Sequence, residues 1–245
     1  MSDVTNQTPS YAGARVSYDR GGLVETDLAA SPLAQFERWY GEAVASAGEQ
    51  RIVEPNALVL ATVDALGSPS VRTVLLKAAD PRGFVLFTNY GSRKAHAIEA
   101  TGVVALLFGW HPMARQVAVR GRAERVSRPE SAEYFATRPW GSRIGAWASH
   151  QSALLADRTE LEAAWARAAA RWPDSGSPDD VPLPDHWGGY LVRPVEVEFW
   201  QGRPSRLHDR LVYLPTASSP VGSSPVESPP LMDDAAGWRI ERRNP

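Results

Sequence analysis

Only two of the chain's 26 basic residues are lysines, Lys77 and Lys94. Arginine presents a rigid planar fork, whereas lysine is a compact ammonium on a flexible stem. A lysine retained in so arginine-biased a chain suits a polyanion site, most simply one for phosphate groups, although biased genome composition accounts for the scarcity equally well. Each lysine has an arginine near it, in Arg72-Thr-Val-Leu-Leu-Lys77 and in Gly91-Ser92-Arg93-Lys94. The second motif stands between a strand end, Phe87-Thr88-Asn89, and a helix start, where free N–H groups and the positive dipole end favour anions. By itself it fits an ordinary capped helix with two solvated charges just as well. In the first motif, residues five apart on a regular strand point to opposite faces. Arg72 and Lys77 are therefore expected to serve two neighbouring anions, or to be charged ends of an exposed strand, and not to grip one group.

Tyr134 and Arg138 are four residues apart and share a helix face; Pro139 ends that helix and leaves Ser142 in the next turn. A phenol, a guanidinium and a hydroxyl suit a phosphate monoester, while a solvated helix face explains the spacing without any ligand. The densest segment is Glu198-Phe-Trp-Gln-Gly202 followed by Arg206-Leu-His-Asp-Arg210. Read as a strand, it puts Arg206, His208 and Arg210 on one face, where they repel unless something anionic or aromatic lies over them. With Trp200 available to stack, a flat heteroaromatic ligand with a negative region fits the set. His208 has no Cys, His or Glu at metal-ligand spacing, so no metal site is read. There is no Gly-x-Ser-x-Gly elbow, and without cysteine there is no thiol nucleophile.

The elements that position these residues follow from periodicity and punctuation. Ser31-Pro32 is a helix start, with Leu33, Phe36, Tyr40, Ala43, Val44 and Ala47 at helical spacing and Gly48 closing it. Strands are expected at 57–63, 70–77 and 84–88, separated by Leu66-Gly-Ser-Pro69 and Asp80-Pro-Arg-Gly83 turns. A short helix at 92–100 stops at Gly102, and strands fit 103–110 and 116–126. Ser127-Arg-Pro-Glu130 is a capping box before a helix at 128–137, and Asp157 starts another through Trp172. After a polar connection at 173–184, strands resume at 189–200, 207–214 and 238–242. The Pro- and Ser-rich stretch between the last two reads as a mobile insert at 215–236. Tight turns between consecutive strands make the sheet mainly antiparallel, a β-barrel with peripheral helices. No Gly-x-Gly-x-x-Gly follows a strand, so the Rossmann route to a dinucleotide is not supported.

Composition narrows the classes further. An apolar fraction of 43% supports a real core, and a net charge of −2 argues against a nucleic-acid or membrane binder. The absence of cysteine fits a reducing cytoplasm. No apolar run approaches the ~20 residues of a membrane span. Residues 1–14 read as a disordered lead-in without signal-peptide features, ahead of a single domain at 15–245.

The runs RTVLLK, FTNYGSRKAHAIE, RQVAVRGRAERVS, YFATRPWGSRIGAW, SHQS, WGGYLVRPVEVEFWQG and RLHDR together resemble the pyridoxamine 5′-phosphate oxidase family, in one collinear order over about residues 15–214, with a closing strand at 238–242. The resemblance implies a split β-barrel homodimer with FMN at the subunit interface. Its FMN-binding positions fall on Arg72, Thr73, Val74, Leu75, Leu76 and Lys77, on Phe87 and Thr88, and on Arg93, Lys94, Gln116, Gln151, Ser152, Trp200 and Arg210. Its substrate-phosphate positions fall on Lys77, Tyr134, Arg138 and Ser142, while Arg206, Leu207 and His208 match the segment against the substrate ring. Arg15 and Tyr18 match an element that closes over the site. Two departures stand out: Phe87 where many relatives carry tyrosine, and the insert at 215–236, which follows the Arg210 motif and is expected to leave the site intact.

The implied reaction oxidises the 4′ carbon of pyridoxamine or pyridoxine 5′-phosphate to pyridoxal 5′-phosphate, hydride passing to flavin and O2 reoxidising it with release of hydrogen peroxide. The cofactor carries the redox chemistry and the protein supplies binding and orientation, which accounts for two basic groups, one for each phosphate. Alternatives are a same-fold flavin oxidase of secondary metabolism, of the phenazine type, and a non-catalytic carrier of FMN or pyridoxal phosphate. The complete Lys77, Tyr134, Arg138 and Ser142 set argues for a phosphorylated substrate, and Arg206 with His208 argues weakly against a carrier.

Overall fold

One antiparallel sheet organises the chain, and the helices fill the connections between its strands. The computed structural model describes residues 17–18, 21–46, 52–217 and 229–245; Arg15, the lead-in and Gly48 lie outside them. Helix α1 (Pro32–Ala45) begins as its sequence dictates, with Ser31 Oγ accepting the Ala34 N–H at 3.3 Å and proline in the first turn. It drives Phe36, Trp39 and Ala43 into the core. Strands β1 (Ala57–Val63), β2 (Pro69–Leu75), β3 (Ala78–Asp80) and β4 (Gly83–Asn89) lead to α2 (Arg93–Thr101), capped by Ser92 and stopped by Gly102 in the left-handed region. Then come β5 (Val103–Trp110), β6 (Arg115–Arg125), and three helices, α3 (Arg128–Thr137), α4 (Trp140–Ala148) and α5 (Arg158–Arg171). Strands β7 (Trp187–Gln201), β8 (Asp209–Pro215) and β9 (Trp238–Arg243) finish the chain.

Among the described residues nine strands join one sheet in the order β2-β1-β5-β6-β7-β4-β3, with β8 on β7 and β9 on β8, and every pairing is antiparallel. The sheet curls into a half-barrel with peripheral helices, as expected from the turns. Strand β7 is its spine. Its first half lies between β4 and β6 and its second half between β6 and β8. The change of partner coincides with a β-bulge at Arg120/Gly121, where a Cβ on Gly121 would sit 2.5 Å from the Arg193 carbonyl oxygen. The main core fills the half-barrel with Phe36, Phe84, Phe108, Trp110, Phe199 and Tyr213. A smaller core of Phe135, Ile144, Ala146, Ala168, Val181 and Trp187 binds α3, α4 and α5 to the start of β7.

Four expectations are corrected. The strand read as 70–77 ends at Leu75: the Leu76 N–H goes to Asn56 O and the Lys77 N–H to Val85 O, so face alternation does not run from Arg72 through to Lys77. Helix α4 was not foreseen. Proline precedes it and Gly141 and Gly145 lie in it, so propensity is poor, and burial of Ile144, Ala146 and Ala148 holds it instead. The strand expected from 207 begins at Asp209. Arg206 lies in a 3-10 turn, Pro204–Arg206, so it shares no strand face with His208 and Arg210. Residues 229–236, assigned to the insert by composition, are folded: Met232 is fully buried and exchanges backbone hydrogen bonds with Leu33 and Pro81.

Candidate active site

A cavity of about 680 Å³ opens between β2, β4, α3, α4 and the loop after α4. Three cations line it, Lys77, Lys94 and Arg138, and no carboxylate does. Thr73, Val74, Leu75, Phe87, Thr88, Tyr134, Ser142 and Gln151 complete the expected part of its wall. Thr137, Ser149 and Trp187 also line it and were not anticipated. Trp187 opens the Trp-Gly-Gly-Tyr run, just ahead of the strand expected from 189; its aromatic character before two glycines was the available signal.

The floor is aromatic. The Phe87 ring stacks on Tyr134 at 4.1 Å between centroids and on Trp187 at 5.5 Å, with interplanar angles of 20° and 11°. Gly189 permits this, because a Cβ there would lie 2.8 Å from the Phe87 ring. A ring at position 87 therefore serves packing, whatever a hydroxyl would add. Lys77 Nζ lies 5.9 Å from the Tyr134 centroid. The Arg138 guanidinium stacks 4.6 Å from Trp187 and 5.5 Å from Phe135, and its Nη1 is buried without an acceptor among the described residues. Burial holds the pKa of Arg138 below its usual value.

A second basic group adjoins the first. Lys94 Nζ donates to Gln151 Oε1 at 2.5 Å, to Thr88 Oγ1 at 3.1 Å and to Ser92 Oγ at 3.3 Å. Ser152, in the left-handed region at φ 74°, accepts the Arg93 N–H on its Oγ at 3.2 Å. The loop after α4 is thus fastened to the N-terminus of α2. Burial, and then the nearby Arg72 charge, push the Lys94 ammonium down to about 8. Arg72 is itself lowered by burial and by Arg93, while its guanidinium donates to Leu60 O, Thr62 Oγ1 and Ser70 Oγ. Among the described residues, Lys77, Lys94, Arg138, Arg72 and Arg93 form no ion pair, whereas Arg82, Arg210, Arg242 and Arg243 all do. Uncompensated cations clustered at a helix start and in a cavity are built for anions. Leu76 does not take part through its side chain, which is buried in the main core.

The remaining expected residues assemble elsewhere. Gln116, Trp200 and Arg210 lie directly opposite one another across β6, β7 and β8, so they share a sheet face. Tyr18 meets Trp200 and His208 edge-on at 5.8 and 5.9 Å, and Trp200 lies 4.6 Å from His208. His208 Nδ1 accepts the Arg203 N–H at 3.0 Å, which leaves Nε2 to carry the proton of the neutral ring. Ser205 and Arg206 both have left-handed backbones, φ 57° and 63°, a conformation that costs about 1–3 kcal/mol per non-glycine residue and concentrates at ligand clamps. Leu207 is exposed. Arg210 is not a free cation: it forms a two-pronged pair with Glu198 at 3.1 and 2.7 Å and donates to Asn244 O at 3.1 Å. From Trp187 at the cavity to Trp200 in this second cluster, β7 covers 13 residue steps, about 40 Å of strand at ~3.3 Å per residue.

Among the described residues no group of His, Asp or Glu could hold a metal ion, and no helix is long and apolar enough to cross a membrane. Residues 46–171 match the family profile described as pyridoxamine 5′-phosphate oxidase, and residues 187–245 match the pyridoxine 5′-phosphate oxidase C-terminal dimerisation region. The chain is 56% identical to a pyridoxine/pyridoxamine 5′-phosphate oxidase of Kineococcus radiotolerans, over 96% of this chain and 98% of that one. A protein of the same description from Streptomyces avermitilis is 48% identical over 99% of this chain and all of the other. Among solved structures, PhzG from Burkholderia lata, in complex with tetrahydrophenazine-1-carboxylic acid, superposes with a TM-score of 0.75 at 28% identity, covering 94% of this chain and all of that one. An FMN-binding protein of Nostoc punctiforme shares the fold at TM-score 0.59 and 18% identity, over 84% of this chain and 97% of that one.

Proposed function

The chain belongs to the pyridoxamine 5′-phosphate oxidase family and is an oxidoreductase, and on that premise we propose that it oxidises pyridoxamine and pyridoxine 5′-phosphate to pyridoxal 5′-phosphate, with FMN as cofactor and O2 as electron acceptor. The observation that carries this reading is the pair of adjoining, uncompensated basic groups, one in the cavity and one at the start of α2. Two phosphates need two such groups.

The residues fit FMN on chemical grounds: Arg72, Arg93 and Lys94 are cations without carboxylate partners among the described residues, and Ser152 and Gln151 stand beside them. These would hold the FMN phosphate, with Thr73, Val74, Leu75 and Thr88 along the adjoining strands. When bound, FMN supplies the hydride acceptor and the route to O2. Lys77, Tyr134, Arg138 and Ser142 hold the substrate phosphate, and Arg206 and His208 orient the substrate ring, a positional contribution to rate. His208, with its proton on Nε2, offers a hydrogen-bond donor towards that ring. Tyr18 covers His208 and Trp200 and limits water there. No protein nucleophile is required.

The separation along β7 supports a homodimer in which the cavity of one protomer is completed by Gln116, Trp200, His208 and Arg210 of its partner. A phenazine-type oxidation on this fold needs no phosphate clamp, so the four-residue set favours the phosphorylated substrate. The purified protein should be yellow and consume O2 with pyridoxamine 5′-phosphate. A colourless protein that takes up no FMN would end the proposal.

A further inference from the structure

Arg138 is held against aromatic rings and not by a carboxylate. Arg82, Arg210, Arg242 and Arg243 are each fixed by two-pronged contacts with carboxylates. Arg138 has no acidic partner among the described residues; its guanidinium lies against the rings of Trp187 and Phe135, and its Nη1 is left buried and unpartnered. A carboxylate would occupy the in-plane N–H groups and cancel the charge. A ring face attracts the cation through its quadrupole and leaves the planar fork of donors free. The Trp187 platform is itself fixed. It is buried, stacks on Phe87 and meets Phe135 edge-on at 5.1 Å, and its backbone N–H donates to Pro184 O at 3.2 Å.

We propose that Trp187 is a positioning residue for substrate recognition: its indole face orients the Arg138 guanidinium and keeps it charged and uncompensated for the phosphate of the substrate. The proposal rests on the phosphorylated-substrate reading above. It makes Trp187 a determinant of the preference for phosphorylated over unphosphorylated substrates, acting without touching the reacting carbon.

The test uses the FMN-loaded enzyme and three measurements: KM for pyridoxamine 5′-phosphate, KM for unphosphorylated pyridoxamine, and inhibition by inorganic phosphate. Trp187→Leu should raise KM for the phosphorylated substrate and the phosphate inhibition constant about tenfold, between the scales of an exposed and a desolvated cation–π contact. KM for pyridoxamine should shift far less, and Trp187→Phe should recover part of the loss. Because the leucine variant also removes packing, Trp187 alone is to be replaced by mono- to tetrafluorinated tryptophan, which weakens the ring face and keeps its shape. The phosphate inhibition constant should climb with each fluorine. A constant that stays flat across that series, in an enzyme that discriminates the two substrates, overturns the role of Trp187 and leaves the functional reading standing. A wild-type enzyme that neither discriminates them nor responds to phosphate overturns both.

Discussion

At the scale of single residues, Lys94 carries the most specific consequence. Burial and Arg72 bring its ammonium down to about 8. A cation whose folded pKa lies below its unfolded value binds fewer protons folded than unfolded between the two, so the FMN-free protein gains stability from this group as pH rises through that window. Anion binding runs the other way, because the charged ammonium is the binding form. FMN affinity, followed by quenching of flavin fluorescence from about pH 7 to 9.5, should hold below about 8 and weaken above it, and Lys94→Arg should remove the break because a guanidinium stays charged. A break that persists in Lys94→Arg would assign the titration to another group. The two lysines and the Tyr134, Arg138 and Ser142 spacing were legible in the chain because charge and hydroxyl chemistry show in residue type. Trp187 was not, since the partner that gives it meaning, Arg138, is 49 residues away in sequence.

Elements were legible where local signals decide them. Serine caps, a C-terminal glycine and tight turns placed α1, α2, α3 and most strands to within a residue or two. They failed where tertiary packing overrides propensity: α4 forms despite its glycines, and the β2 strand breaks at Leu76 because its backbone bonds to Asn56 and its side chain enters the core. The half-barrel depends on α1 as a plug. Phe36 is 1% exposed and packs on Phe84, Phe108 and Trp110, so Phe36→Ala should cost about 3–5 kcal/mol, read as a lowered denaturation midpoint with little change in slope. A cost below about 1 kcal/mol would mean that the core closes without α1.

At the scale of the whole molecule, the sequence residues divide between the cavity and the cluster at the far end of β7, a division that alternation within one strand could never reveal. If the dimer joins unlike halves, two crippled chains can rescue each other. Arg138→Ala and His208→Ala homodimers should both be impaired in turnover of the phosphorylated substrate. Unfolded and refolded together in equal amounts, they should recover about a quarter of the wild-type sites, since random pairing makes half the dimers mixed and each mixed dimer has one intact site. No recovery in a mixture shown to contain mixed dimers would place both residues in the site of the same chain. Strand β7 then has a mechanical meaning. It is a strut with Trp187 at one end and Trp200 at the other, and in such a dimer each catalytic centre is braced by one end of both struts. Neither centre can be stretched or tightened without loading the other, so the two are joined in tension like the rungs of one ladder.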